Sequence, residues 1–148
     1  MNAPHPLSLG QLPVRVYYED TDAGGIVYYA NYLRFIERGR TEFLRSLGFS
    51  QENIARETGL AFAVRSVNAD YLLPAKLDDE LLVTSRIESL GRAQVVFAQQ
   101  VLREETVLMT ASVRVVCLDT RRHKAAAMPR DIHEKFQNVI DASNKVSP

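Results

Sequence analysis

The chain has 148 residues, of which 46% are apolar and 24% charged, and its formal net charge is zero. That length and composition suit one globular domain with a substantial core, and the charge balance excludes a protein drawn as a whole to nucleic acid or to an acidic membrane surface. Cys117 stands alone, which excludes an intrachain disulfide and a cysteine-rich metal site and fits a reducing compartment.

The opening "MNAPHPLSLGQLP" has no basic start and no apolar stretch of signal-peptide type, and no apolar run nears the roughly 18 residues of a membrane span. A cytoplasmic protein without a membrane span is the expectation. Residues 1–12, with two prolines and no periodicity, read as a flexible arm. One domain is expected over 13–141, followed by a tail at 142–148.

"VRVYY" at 14–18 is β-branched and aromatic and predicts a first strand. The acidic "EDTDAGG" breaks it, and Gly24 and Gly25 supply the positive φ that a tight turn needs. A helix is predicted over 29–47, burying Leu33, Ile36, Phe43, Leu44 and Leu47 at spacings of three and four, with Gly48 past its end. Gly39 inside it predicts close backbone packing on a sheet. A short helix follows at 50–58, with Ser50 as cap and Gly59 as stop.

Four strands come next: 60–73, 79–90, 92–104 and 106–119, with turns at "PAKLD" and near Glu104 and Glu105. Leu81, Val83 and Ile87 oppose Thr84, Arg86 and Glu88. Val107, Met109, Ala111, Val113, Val115 and Cys117 oppose Thr110, Ser112 and Arg114. Period two over these lengths predicts antiparallel strands with one face covered, read here as a four-strand meander. "RDIHEKFQNVIDA", opened by Pro129, predicts a last amphipathic helix. The order gives an α+β fold, with a long helix covering a curled antiparallel sheet.

The stretch Glu19–Tyr32 packs three carboxylates, two glycines and three tyrosines ahead of that helix. An EF-hand loop counted from Asp20 fails, because its fifth position is Gly24 and its twelfth Asn31. A magnesium site on Asp20 and Asp22 would need phosphates to complete it. A capping turn accounts for the same residues. So does a catalytic arrangement: the helix start near Tyr28 and Tyr29 offers free N–H groups with about half a positive charge, and Asp22 would stand beside a bond polarised there.

"VYYEDTDAGGIVYYANYLRFIERGRTEFLRSLG", followed by "VRSVNADYLLPAKLDDEL" and "VVCLD", closely resembles the 4-hydroxybenzoyl-CoA thioesterase-like group of the hotdog superfamily, and within it the Tol–Pal-associated acyl-CoA thioesterases. The likeness spans about residues 14–137. It implies a five- or six-stranded antiparallel sheet wrapped around a long helix, and homodimers joined edge to edge, often paired into tetramers. It implies acyl-CoA hydrolysis with Asp22 as nucleophile or general base and the Tyr29 N–H polarising the carbonyl. No metal or cofactor is implied, coenzyme A being part of the substrate. Many members of that branch carry histidine where this chain has Tyr29, so only the backbone role transfers.

Gly25, Ile26, Tyr28, Tyr32 and Arg92 are the candidate substrate contacts, Arg92 and the basic 121–124 segment for coenzyme A phosphates. Cys117 reads as core filler, and His5, His123 and His133 suggest no nucleophile–base pair. Glu37, Arg38 and Arg40 are candidates for helix-surface pairs, and Arg40, nearer the apolar face, would need a buried partner. The alternatives to hydrolysis are a hydratase acting on enoyl thioesters and a non-catalytic module that binds acyl carrier protein or an envelope complex.

Overall fold

The computed structural model describes residues 10–146. The arm expected at 1–12 therefore lies outside the described residues as far as residue 9, and so does His5. Among the described residues six strands and three α-helices follow one another as β1 (Gln11–Arg15), α1 (Tyr29–Ser46), α2 (Gln51–Thr58), β2 (Leu60–Tyr71), β3 (Glu80–Leu90), β4 (Gln94–Arg103), β5 (Thr106–Asp119), β6 (Lys124–Ala125) and α3 (Arg130–Val146). All strand pairs are antiparallel, in the order β1-β3-β4-β5-β2, with β6 alongside β5.

This is the expected helix on an antiparallel sheet, with one correction to its wiring. β3, β4 and β5 form a meander, but β2 lies at the far edge against β5 and does not neighbour β3. The "PAKLD" segment is therefore a crossing between opposite sides of the sheet, not a hairpin turn. Edge position also explains why β2 shows little alternation: one strand face finds no partner, and a register shift between Val64 and Ser66 breaks its period. β1 starts at Gln11, earlier than predicted, because Pro13 is tolerated on an edge strand and the Gly10 carbonyl accepts the Ser85 N–H at 2.6 Å. Tyr17 and Tyr18 fall outside it and are exposed. α3 runs past the predicted Ala142 to Val146.

α1 buries Tyr32, Phe35, Ile36, Gly39, Phe43 and Leu44. Leu33, expected on that face, is exposed, because the stripe through 32, 36, 39 and 43 leaves it a quarter turn away. Gly39 meets the sheet as predicted. A Cβ there would come within 2.8 Å of Val83 Cγ1 and 3.0 Å of Ser85 Oγ. α2 begins as read: Ser50 Oγ accepts the Asn53 N–H at 3.2 Å, and Gly59 ends it at φ +73°. Phe43, Phe97 and Phe136 join α1, the sheet and α3 in one core, where Cys117 is also buried.

Candidate active site

Between β1 and α1 the chain makes a small hairpin. Thr21 bridges Val27, the Asp22 N–H donates to the Ile26 carbonyl at 2.9 Å, and the Gly25 N–H returns to the Asp22 carbonyl at 3.0 Å. Gly25 sits at φ +81°, a conformation in which a side chain would be strained. Asp22 Oδ1 accepts the Gly24 N–H at 2.8 Å, which fixes the carboxylate on the turn. Its Oδ2 has no partner among the described residues, and the side chain is exposed.

The two acids of the D-x-D stretch do different work. Asp20 is buried, and its Oδ2 accepts the Tyr17 N–H at 2.8 Å. Its carbonyl takes the Tyr28 N–H at 3.1 Å and the Asn31 side-chain amide at 2.8 Å, tying the helix start to the hairpin. Asp20 is thus the turn-former of the capping reading, and Asp22 is left open.

α1 starts without a side-chain cap. Tyr28 occupies the capping position in extended conformation, offers no capping hydrogen bond, and the first turn holds no acidic residue. The Asn31 N–H donates to the Tyr28 carbonyl, while those of Tyr29 and Ala30 precede the first intrahelical bond. An uncapped helix start of this kind carries partial positive charge and suits an oxyanion.

Aromatic rings border it. Tyr29 packs on Tyr28 with centroids 4.9 Å apart and on Tyr71 at 6.0 Å, and all three rings are exposed. Tyr32 is buried, with its ring 5.5 Å from that of Tyr71, and its hydroxyl accepts the Ala75 N–H at 2.9 Å. Repulsion from Tyr29 raises the Tyr28 phenol, and burial raises those of Tyr32 and Tyr71. All three therefore stay neutral near pH 7.

The structure thus places Gly25 and Ile26 in the hairpin that bears Asp22, and Tyr28 and Tyr29 at the helix start that follows it and is tied to it through the Asp20 carbonyl, with Tyr32 buried in the first turn. It does not bring Arg92 there within one chain. Arg92 lies in the β3–β4 turn, where its carbonyl accepts the Met128 N–H, and the length of β4, about 30 Å at the usual strand rise, separates it from the end near the hairpin. The 121–124 segment is likewise at the β5 end, with the Arg121 and Arg122 N–H groups donating to Asp119 Oδ1.

Along the second half of α1 lies a cavity of about 180 Å³, lined by Glu37, Arg40, Phe62, Val64, Phe97 and Phe136 among others. Arg40 finds its partner inside the chain, donating to Gln99 Oε1 at 2.9 Å, and burial lowers its guanidinium below the ordinary range while Glu37 pulls the other way. Among the described residues the ion pair on α1 is Glu42 with Arg45, not one among Glu37, Arg38 and Arg40. Sequence reading missed Asp79 and Arg103, which form a half-buried ion pair at 2.7 Å beside the hairpin. They lie 24 residues apart, and no local spacing signals such a pair.

The sequence model described as the thioesterase-like superfamily matches residues 16–136. The chain is 45% identical over 127 residues to the acyl-CoA thioesterase YbgC of Haemophilus influenzae, covering 86% of this chain and 93% of that one. It is 46% identical over 131 residues to the acyl-CoA thioester hydrolase YbgC of Escherichia coli O6:H1, covering 88% and 97%. Among solved structures, the probable thioesterase of Bartonella henselae superposes with a TM-score of 0.76 at 37% identity, covering 80% of this chain and 98% of that one. Its fold is the curled antiparallel sheet and long helix described above.

Proposed function

The chain belongs to the thioesterase-like superfamily, and from that membership we propose that it hydrolyses acyl-CoA thioesters to the free acid and coenzyme A. The observation that carries the proposal is the pairing of an exposed, turn-fixed Asp22 carboxylate with an uncapped helix start a few residues later. The thioester carbonyl oxygen lies against the Tyr29 N–H, joined by that of Ala30, and gathers charge there as the carbonyl carbon becomes tetrahedral. One such donor is typically worth about 2.7–4 kcal/mol of barrier.

Asp22 acts by one of two routes. As general base it takes a proton from water as the water oxygen attacks, and the tetrahedral adduct collapses by expelling the thiolate of coenzyme A, which then takes up a proton. As nucleophile it attacks directly, expels the thiolate and leaves an acyl anhydride that water opens. Asp22 Oδ2, without a partner among the described residues, is the oxygen available for either route. Tyr28, Tyr29, Gly25 and Ile26 border the acyl group. A single turnover in ¹⁸O-water separates the routes, because only the anhydride can pass label into the Asp22 carboxylate.

We also place the working enzyme in an assembly. β2 is a 12-residue edge with Val64 and Val67 exposed, and such edges invite pairing with another strand. Pairing through β2 of a second copy gives a homodimer, and two such dimers a tetramer. Arg92 reaches coenzyme A phosphates only across an assembly of this kind. The single buried Cys117 suits work in the reducing cytoplasm.

The test is a panel of acyl-CoAs and acyl carrier protein thioesters with free-thiol detection, together with enoyl-CoA. Thiol release from acyl-CoA is the expected result. A 3-hydroxyacyl product from enoyl-CoA without thiol release, or binding of acyl carrier protein without turnover, would replace the proposal.

A further inference from the structure

The crossing segment from Pro74 to Asp79 takes no part in the chemistry just described, yet it touches both halves of the site. Ala75 is fully buried. Its carbonyl accepts the Val27 N–H at 2.9 Å, and Ile26 bridges Lys76, so the hairpin that bears Asp22 leans on this segment. The Ala75 N–H donates at 2.9 Å to the hydroxyl of Tyr32, in the first turn of α1. One buried residue thus sets the hairpin against the helix start.

The segment is neither helix nor strand, and its shape is held by Asp79. Asp79 Oδ2 accepts the Lys76 N–H at 2.8 Å and Arg103 Nη1 at 2.7 Å, and the same Arg103 nitrogen reaches the Pro74 carbonyl at 3.2 Å. The Asp79 N–H returns to the Lys76 carbonyl at 3.0 Å. Arg103 and Asp79 side chains are 33% and 21% exposed, so water screens them less than a surface pair. Reaction at the thioester needs the carboxylate and the N–H donors in register, and an error of about 1 Å can lower a rate ~10²-fold.

We propose that Arg103 and Asp79 are positioning residues: their ion pair holds the 74–79 segment where Ala75 aligns the Asp22 hairpin with the start of α1. This rests on the thioesterase reading above, with Asp22 and the Tyr29 N–H as the groups being aligned.

The experiment takes the full-length Asp79→Asn, Arg103→Met and double variants, with Arg103→Lys as the milder change. It measures kcat and KM per folded protein and amide hydrogen exchange over residues 22–27. In Asp79→Asn, kcat is expected to fall roughly tenfold with KM changed much less, and Val27 exchange to rise by a similar factor, as expected of misalignment without lost binding. The double variant is expected to be no worse than the worse single, and Arg103→Lys to recover part of the rate.

Unchanged kcat and unchanged Val27 exchange in folded Asp79→Asn or Arg103→Met would overturn the proposal. So would exchange rising evenly over β4 and β5 as well, which would make the pair a general stabiliser. The exchange measurement does not depend on turnover. If Asp22→Asn proved fully active, the mechanism would fail while the clamp remained measurable. If Asp22→Asn were inactive and the clamp variants behaved as wild type, the clamp alone would fail.

Discussion

Midway along α1, at Gly39, the helix lies against the sheet with its polar neighbours fully engaged. Gln99 donates to the Ile36 carbonyl and to Ser85 Oγ and accepts from Arg40, and among the described residues no buried side-chain nitrogen or oxygen lacks a partner. At the start of the same helix the N–H groups of Tyr29 and Ala30 have no side-chain cap, a few residues after a carboxylate with one oxygen unpaired among the described residues, and three exposed tyrosine rings lie there. The contrast separates structure from chemistry. Polar groups paired within the chain hold the helix in place, and those left open are available to a substrate. Asp20 and Asp22 repeat the contrast two residues apart.

Mutations can break this contrast from either side. The largest effect is expected at the open end. Asp22→Asn keeps a carbonyl oxygen for the Gly24 N–H and so keeps the hairpin, yet it removes the charge to which the proposed mechanism assigns attack on the thioester or activation of water. Its kcat should fall ~10²–10⁴-fold, measured by thiol release, with an unchanged Tm. At the closed end, Gln99→Leu strands the Arg40 guanidinium and Ser85 Oγ and takes the side-chain donor from the Ile36 carbonyl. Denaturant unfolding should show a loss of about 2 kcal/mol, with little change in kcat per folded molecule.

α2 sharpens the comparison, because its start carries the side-chain cap that α1 lacks. Ser50→Ala should cost about 1 kcal/mol in the same unfolding assay and leave turnover alone. The smallest effect is in pH dependence. Burial pushes the Asp79 carboxyl up, but the Lys76 N–H and the hydrogen bond and charge of Arg103 outweigh it and leave it below the ordinary range. A carboxyl lowered in the folded state stabilises fully above its unfolded value of about 3.9 and loses that contribution as pH falls through the lower folded value. Thermal melts below about pH 4 should therefore fall less steeply for Asp79→Asn than for the wild type.

Much of this was legible in the sequence where local chemistry decides. Ser50 and Gly59 bound α2, Gly39 marks the close approach to Val83, and the alternation through Met109, Val113 and Cys117 marks β5, each fixed by residues within one element. The acidic turn before an amphipathic helix was visible for the same reason. What escaped is non-local. β2 joins β5 rather than β3 because strand order depends on which faces and edges remain free after the others pair, and the exposed edge blurs the period of β2. Arg103 meets Asp79 only once β3 and β4 have folded back on each other, and the Tyr32 hydroxyl meets Ala75 across 43 positions of sequence. Leu33 was misplaced by one position on the helical wheel, an error that its tyrosine neighbour invites.

The claim that the open start of α1 polarises the thioester is tested most directly by removing one backbone N–H. Tyr29 is the first helical residue, where proline is tolerated, and Tyr28 before it already sits at φ −63° and ψ 133°, the extended conformation that a following proline prefers. Tyr29→Pro and Tyr29→Ala both lose the ring, but only the first loses the donor. With both proteins folded, the kcat of Tyr29→Pro should lie ~10²–10³-fold below that of Tyr29→Ala. Equal kcat values in the two variants would contradict the account.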